Sequence, residues 1–260
     1  GFATLGIGPG DVVAIYLRND FAFFEVSVAA GLVGAYSTPA NWHNSPDEAA
    51  YIFNNSGAKA IIIHADLYHP IAKALPKDVP VFIVETPAEI ITAYGLSKET
   101  CVPPSGVLLW HEWLADFPPK TKGPDEAPGT MIYTSGTTGH PKGVRRATPD
   151  AEQAIAWSTI IGHVMGFDPK YGNPTDMVTV VTGPMYHSAP NAYGLFAFRF
   201  GASCILQPRF DPEELLSMIE KYKVTHLHMV PTMFVRLLKL PDDVKKKYDL
   251  SSLRFVVHAA

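Results

Sequence analysis

The sequence predicts an α/β protein made of two packed αβ subdomains, with largely parallel sheets flanked by helices. Three observations lead there. Short, wholly apolar runs such as Ala60-Ile61-Ile62-Ile63 read as strands buried on both faces, as a parallel sheet requires. Segments with helix-start grammar alternate with those runs along most of the chain. A proline-rich stretch, Phe117-Pro118-Pro119-Lys120-Thr121-Lys122-Gly123-Pro124, interrupts the alternation. The 260 residues suffice for one large domain or two packed halves. The interruption divides them into a first αβ subdomain with a Pro-rich connection, residues 1–122, and a second, residues 123–260.

Residues 11–17 read as a strand and residues 21–34 as a helix. Ser45-Pro46-Asp47-Glu48 opens the next helix with four agreeing signals. Ser45 can cap, Pro46 suits the first turn, Glu48 can close a capping box, and both acids favour the positive end of the helix. Asn55-Ser56-Gly57 ends it, and residues 60–63 form a short strand. A helix over 66–75 and a strand over 79–84 follow. Residues 86–122 are less regular and read as a surface connection. Beyond it the expected strands are 130–134, 177–181, 203–206, 225–230 and 253–257. Helices are expected over 148–165, 188–198, 211–222 and 231–238. Asp211-Pro212-Glu213-Glu214 repeats the cap, proline and acid grammar of a helix start.

Composition excludes several classes of function. The formal net charge of −4 gives no basic field to hold a nucleic acid by its phosphates. Lys245, Lys246 and Lys247 read as a solvated helix end. Cys101 and Cys204 are the only cysteines and lack metal or disulfide spacing, which fits a reducing cytosol and a cytoplasmic protein. The opening Gly1-Phe2-Ala3-Thr4-Leu5-Gly6 has no signal-peptide pattern. The longest apolar stretch, residues 21–36, contains Glu25 and is too short for a transmembrane segment, so it reads as a buried helix. Self-association into a homo-oligomer is left open.

The most informative stretch is Tyr133-Thr134-Ser135-Gly136-Thr137-Thr138-Gly139-His140-Pro141-Lys142-Gly143. Glycines let backbone N–H groups turn toward an anion, hydroxyls donate further hydrogen bonds, and a lysine adds a mobile positive charge. Such a loop suits a polyphosphate; a flexible surface turn is the other reading of the same composition. It does not fit the G-x-x-x-x-G-K-[ST] pattern, because Pro141 precedes Lys142 and Gly143 follows it.

The order of these residues resembles the phosphate-loop signature of the adenylate-forming superfamily of acyl- and aryl-CoA synthetases, adenylation domains and luciferases. Further resemblance lies in residues 5–14, in Pro184-Met185-Tyr186-His187, in Val230-Pro231-Thr232-Met233 and in His258-Ala259-Ala260. It thus extends over nearly the whole chain. It implies an AMP-forming acyl-CoA synthetase of fatty acid or related metabolism. ATP and a carboxylic acid would give an acyl-adenylate, and CoA would take the acyl group. It further implies that Thr134, Ser135, Gly136, Thr137, Thr138, Gly139 and Lys142 surround the β- and γ-phosphates. Mg2+ would share that task with Thr134 as a contact, and Ala259 and Ala260 would begin the adenine-side loop. Lys142 and His187 are the catalytic candidates. A lone histidine after a strand is more often a packed residue, but by resemblance His187 stands near the reacting carboxylate. Ala189, Asn191 and Tyr193, on the helix that follows, would line the acyl pocket; ordinary helix packing is the alternative. After Gly143 the chain departs from the family's usual apolar residue and Thr-His, with Val144-Arg145-Arg146 in their place.

Residues 183–200 contain no Asp or Glu, so an amino-acid substrate, whose buried ammonium needs pairing, is disfavoured. The metal-holding Glu, the ribose-binding Asp and the mobile lysine of a C-terminal lid domain find no counterpart within these residues. The expectation is therefore an N-terminal domain fragment that is inactive by itself. A carrier-protein-loading adenylation domain and a non-catalytic nucleotide- or acyl-binding remnant are the alternatives.

Overall fold

In a computed structural model, which describes residues 1–124, 128–134, 141–145 and 149–258, the apolar run Val12–Tyr16 forms strand β1, buried along its whole length. Helix α1, Phe21–Leu32, follows after the Asp20 carboxylate accepts the Phe21 N–H at 2.7 Å. Then come β2 (Tyr36–Pro39), α2 (Pro46–Ser56), β3 (Ala58–His64), α3 (Ala65–Ile71) and β4 (Val81–Val84). Helix α4 (Ala88–Tyr94), β5 (Leu108–Leu109) and α5 (Trp110–Ala115) precede a short hairpin of β6 (Tyr133–Thr134) and β7 (Lys142–Gly143). These elements lie in one compact unit, Gly1–Pro149. Its sheet has the order β2-β1-β3-β4-β5, and every pair is parallel. Ile61, Ile62 and Ile63 are fully buried at its centre.

A polar network closes the carboxyl ends of β1, β3 and β4. The Arg18 guanidinium meets Asp66 at 2.7 Å, and the Thr86 hydroxyl donates to the other Asp66 oxygen at 2.9 Å. His64 is fully buried; its Nδ1 accepts the Arg18 N–H at 3.1 Å, which leaves Nε2 to donate to Asp20 at 3.0 Å. Each group removed from water is thereby paired.

The second compact unit, Asp150–Ala260, contains α6 (Ala151–Val164), β8 (Val178–Val181), α7 (Ser188–Phe200) and β9 (Ser203–Leu206). It continues with α8 (Pro212–Tyr222), β10 (His226–Met229), α9 (Pro231–Leu238), α10 (Asp242–Lys245) and β11 (Phe255–His258). Its four strands run parallel in the order β11-β10-β8-β9. Alternate strand residues feed two cores. Val180, Leu227 and Met229 pack with Leu215 and Ile219 of α8 and Met233 of α9. Thr179 and His226 stand opposite one another in register, on the face that meets Tyr193 of α7.

The α/β class and the parallel sheets hold. Within residues 86–122, however, the structure places α4, β5 and α5, with Trp110 fully buried, where sequence suggested only a surface connection. Trp110 is held by ring contacts to Phe2, Phe82 and Trp113, all but the last distant in sequence. Strand β2 was also not foreseen; it is short and ends in Pro39. Among the described residues, no helix is long and apolar enough to cross a membrane.

Candidate active site

The loop singled out in the sequence leaves β6 and returns as β7. These strands pair antiparallel, with Tyr133 opposite Gly143 and Thr134 opposite Lys142. Two of the seven predicted phosphate ligands, Thr134 and Lys142, therefore flank the neck of the loop, and both are exposed. Ser135, Gly136, Thr137, Thr138 and Gly139 lie outside the described residues, as do Ala259 and Ala260. Gly143 has a packing reason of its own. A Cβ there would come within 2.7 Å of the Tyr133 ring, so any larger residue would force the stem apart.

In the second unit, His187 is the N-cap of α7 and is exposed. Its backbone N–H donates to the Pro184 carbonyl at 3.0 Å, and its ring lies 4.3 Å from that of Tyr186. Partial desolvation holds its imidazole below the ordinary histidine value, so the ring is neutral at pH 7 and can accept a proton or a hydrogen bond. Ala189, the second residue of the helix, is half-buried. Asn191 is buried and donates to the Met185 carbonyl at 3.1 Å, tying α7 to the segment that carries His187. Tyr193 is buried against Phe167, its hydroxyl 3.0 Å from the Thr179 hydroxyl, and burial pushes its phenol well up.

His228 was not singled out by sequence reasoning. It is buried on β10, its ring 5.4 Å from that of Tyr193, and its Nε2 has no hydrogen-bond partner among the described residues. Burial, and then the nearby His258, lower its pKa. A polar atom of this kind marks a place where a water or ligand atom would complete the bonding. The only signal in the sequence was the spacing of His226 and His228, which puts both on one face of a strand. Among the described residues no group of three or more His, Cys, Asp or Glu could hold a metal ion.

The chain was compared with known proteins. It is 31% identical over 261 residues to 4-coumarate–CoA ligase 3 of Arabidopsis thaliana, covering 100% of this chain and 43% of that protein. The corresponding ligase of Pinus taeda is also 31% identical over 261 residues, with 100% of this chain and 45% of that protein covered. The chain thus spans less than half the length of the curated relatives it matches. Among solved structures, an anthranilate CoA ligase in complex with anthranoyl-AMP superposes with a TM-score of 0.78 at 23% identity, over 100% of this chain and 47% of that one. The inhibitor-bound N-terminal domain of FACL13 from Mycobacterium tuberculosis gives a TM-score of 0.72 at 22% identity, over 99% of this chain and 58% of that one. These likenesses support the fold. A family model described as AMP-binding enzyme matches residues 1–260, so the chain belongs to that family and, with it, to the adenylate-forming superfamily.

Proposed function

We propose that the whole protein is an AMP-forming CoA ligase that activates a carboxylic acid with ATP and passes the acyl group to CoA. The observation that carries this reading is the ten-residue phosphate-loop signature from Thr134 to Gly143, mounted on a hairpin whose neck sets Thr134 opposite Lys142. Attack of a carboxylate on the α-phosphorus expels pyrophosphate, so negative charge builds on the leaving group. Lys142 is the group that would balance it, with Ser135, Gly136, Thr137, Thr138 and Gly139 as further donors to the phosphates. Thr134 alone offers one neutral oxygen, which fits a Mg2+ carried mainly by the triphosphate oxygens. The ion, when bound, would supply charge neutralisation.

On the acid side, His187 heads α7 as a neutral imidazole, suited to hydrogen bonding near the reacting carboxylate. Ala189 would leave room for the acyl body, while Asn191 and Tyr193 hold α7 in place from its buried side. Residues 183–200 lack an acid, and relatives named 4-coumarate–CoA ligase are among the matches. Both support an aromatic acid without an ammonium group as substrate, in preference to an amino acid; the aromatic relatives favour it over a long fatty acid. His228 would complete its hydrogen bonding on a polar substituent of that acid or on a water.

Acid-dependent exchange between ATP and pyrophosphate in the full-length protein tests this reading. Hydroxycinnamic and benzoic acids should exchange faster than fatty or amino acids. Lys142→Ala should slow exchange by about 10²-fold or more, with little change in the KM of the acid, because the lysine acts on leaving-group charge. An unaltered rate in Lys142→Ala would remove the lysine from the mechanism, and faster turnover of any free amino acid would sink the substrate assignment.

A further inference from the structure

The hairpin that carries the phosphate loop is short, with only two paired residues on each side. So small a hairpin has little stability of its own. It is instead bonded to the carboxyl-terminal half of α2 at three places. The Tyr133 hydroxyl donates to the Asn55 side-chain oxygen at 2.7 Å. The Tyr51 hydroxyl donates to the Pro141 carbonyl at 3.2 Å, on the opposite side of the loop neck. The Arg145 guanidinium donates to the Ser56 carbonyl at 3.4 Å and lies 5.5 Å from the centre of the Tyr36 ring on β2. Ahead of β6, the Met131 N–H donates to the Ser37 carbonyl of β2 at 2.9 Å.

We infer that α2 is a platform for the phosphate loop and that Tyr51, Asn55, Tyr133 and Arg145 are positioning residues for it. The geometry is specific. Tyr51 and Asn55 are four residues apart and so share one face of α2, and each grips a different strand end of the hairpin. The Arg145 donors reach the Ser56 carbonyl at the end of α2, where a cation is favoured. Tyr51 and Arg145 also stand close enough to act electrostatically on the Tyr133 phenol, which partial burial holds above its usual value. A phenol that stays protonated keeps its donor to Asn55 at any pH near neutrality. The platform fixes the distance and direction from which Thr134 and Lys142 approach the departing pyrophosphate.

The inference rests on the CoA-ligase reading, and the test separates the two. Tyr133→Phe and Asn55→Leu each remove one hydrogen bond at the neck, and Asn55→Asp restores an acceptor. In full-length protein, Tyr133→Phe and Asn55→Leu should raise the KM for ATP and lower the exchange rate by about five- to tenfold, the size of one lost hydrogen bond. The KM for the acid should stay within twofold, and Asn55→Asp should recover most of the rate. Backbone hydrogen exchange of residues 130–145, read by mass spectrometry, should quicken in both damaging variants and return in Asn55→Asp. If no acid supports exchange in the wild-type protein, the ligase reading fails, and hydrogen exchange still decides the platform. Unchanged hydrogen exchange in Tyr133→Phe and Asn55→Leu would overturn the platform. So would equal changes in the KM of ATP and of the acid accompanied by a lower Tm, which mark a general structural defect.

Discussion

Arg18 and Asp66 show how much one pair of residues can fix. They are 48 positions apart, both are buried, and the guanidinium reaches Asp66 through Nε at 3.0 Å and Nη2 at 2.7 Å. The Tyr94 ring lies 3.9 Å from the guanidinium, and Thr86 satisfies the second carboxylate oxygen. Nothing in the local sequence announces such a pair, because ionic partners across a parallel sheet follow no period. The hydrogen bond between His64 and Asp20 beside it is equally unannounced. By contrast, the candidate phosphate loop was legible residue by residue, since a chain of glycines, hydroxyls and a lysine needs no distant partner to be recognised. His228 was not, because its character comes from burial and from an unmade hydrogen bond. Removing one member of the buried pair leaves the other charge unpaired, which typically costs about 3–5 kcal/mol. Asp66→Asn should therefore lower the urea midpoint strongly, whereas Arg18→Met combined with Asp66→Leu should cost clearly less than the single change. Equal losses in the single and double variants would mean that packing, not charge pairing, governs the site.

At the scale of elements, helix starts were the most readable features. The Ser45 hydroxyl accepts the Glu48 N–H at 3.3 Å while Glu48 accepts the Ser45 N–H at 2.8 Å, the reciprocal cap that the sequence suggested. Those bonds hold the Glu48 carboxyl below its usual value. Asp150 and Gln153 form a second reciprocal cap, and α6 accordingly begins at Ala151, inside the expected span of 148–165. The misses have physical reasons as well. Helix α4 has only two turns, though Pro87 before it and Gly95 after it, at φ 62°, bracket it clearly in retrospect. Strand β5 pairs over two residues and exists because β4 offers an edge. Trp110 is drawn inward by aromatic neighbours, and its Nε1 donates to Glu25 at 2.9 Å. Because α2 carries the platform for the hairpin, its cap matters beyond its own turn. Ser45→Ala should destabilise the protein by about 1 kcal/mol in chemical denaturation, and Ser45→Asp should restore it, since aspartate caps equally well. No loss in Ser45→Ala would show that tertiary packing alone holds the start of α2.

At the scale of the whole molecule, the class of fold was legible because alternation of apolar strands and capped helices is a global pattern that tolerates local errors. The residues that set its response to acid were not legible, since they depend on which histidines are buried. The buried His226 and His228 and the more exposed His187 belong to the second compact unit, and all three are held below the ordinary value of 6.5, chiefly by desolvation. His226 and His228 lie within the layer formed by β10, Phe167, Tyr193 and Phe255, with Arg254 and His258 as nearby cationic or titrating groups. A base with a lowered folded-state pKa binds protons more readily when unfolded. Stability is then full above the unfolded value and falls as pH drops through it toward the folded value. The lowered carboxyls of Glu48, Glu99, Asp168, Asp242 and Asp249 act in a different window. Their contribution is present above the usual carboxylate range and is lost only as pH falls through their folded values. Acid should therefore weaken the protein in two stages, first between about pH 7 and 5 through the histidines, and then below about pH 4 through the carboxylates. Urea denaturation at pH 7.5 and 5.5 should show a lower midpoint at pH 5.5. Hydrogen exchange should locate the early loss in residues 150–258. His228→Phe, which keeps a ring beside Tyr193 and removes one titrating group, should reduce the difference between the two pH values. An equal midpoint at both pH values in the wild-type protein, or an early loss confined to residues 1–124, would contradict the assignment of the first stage to these histidines.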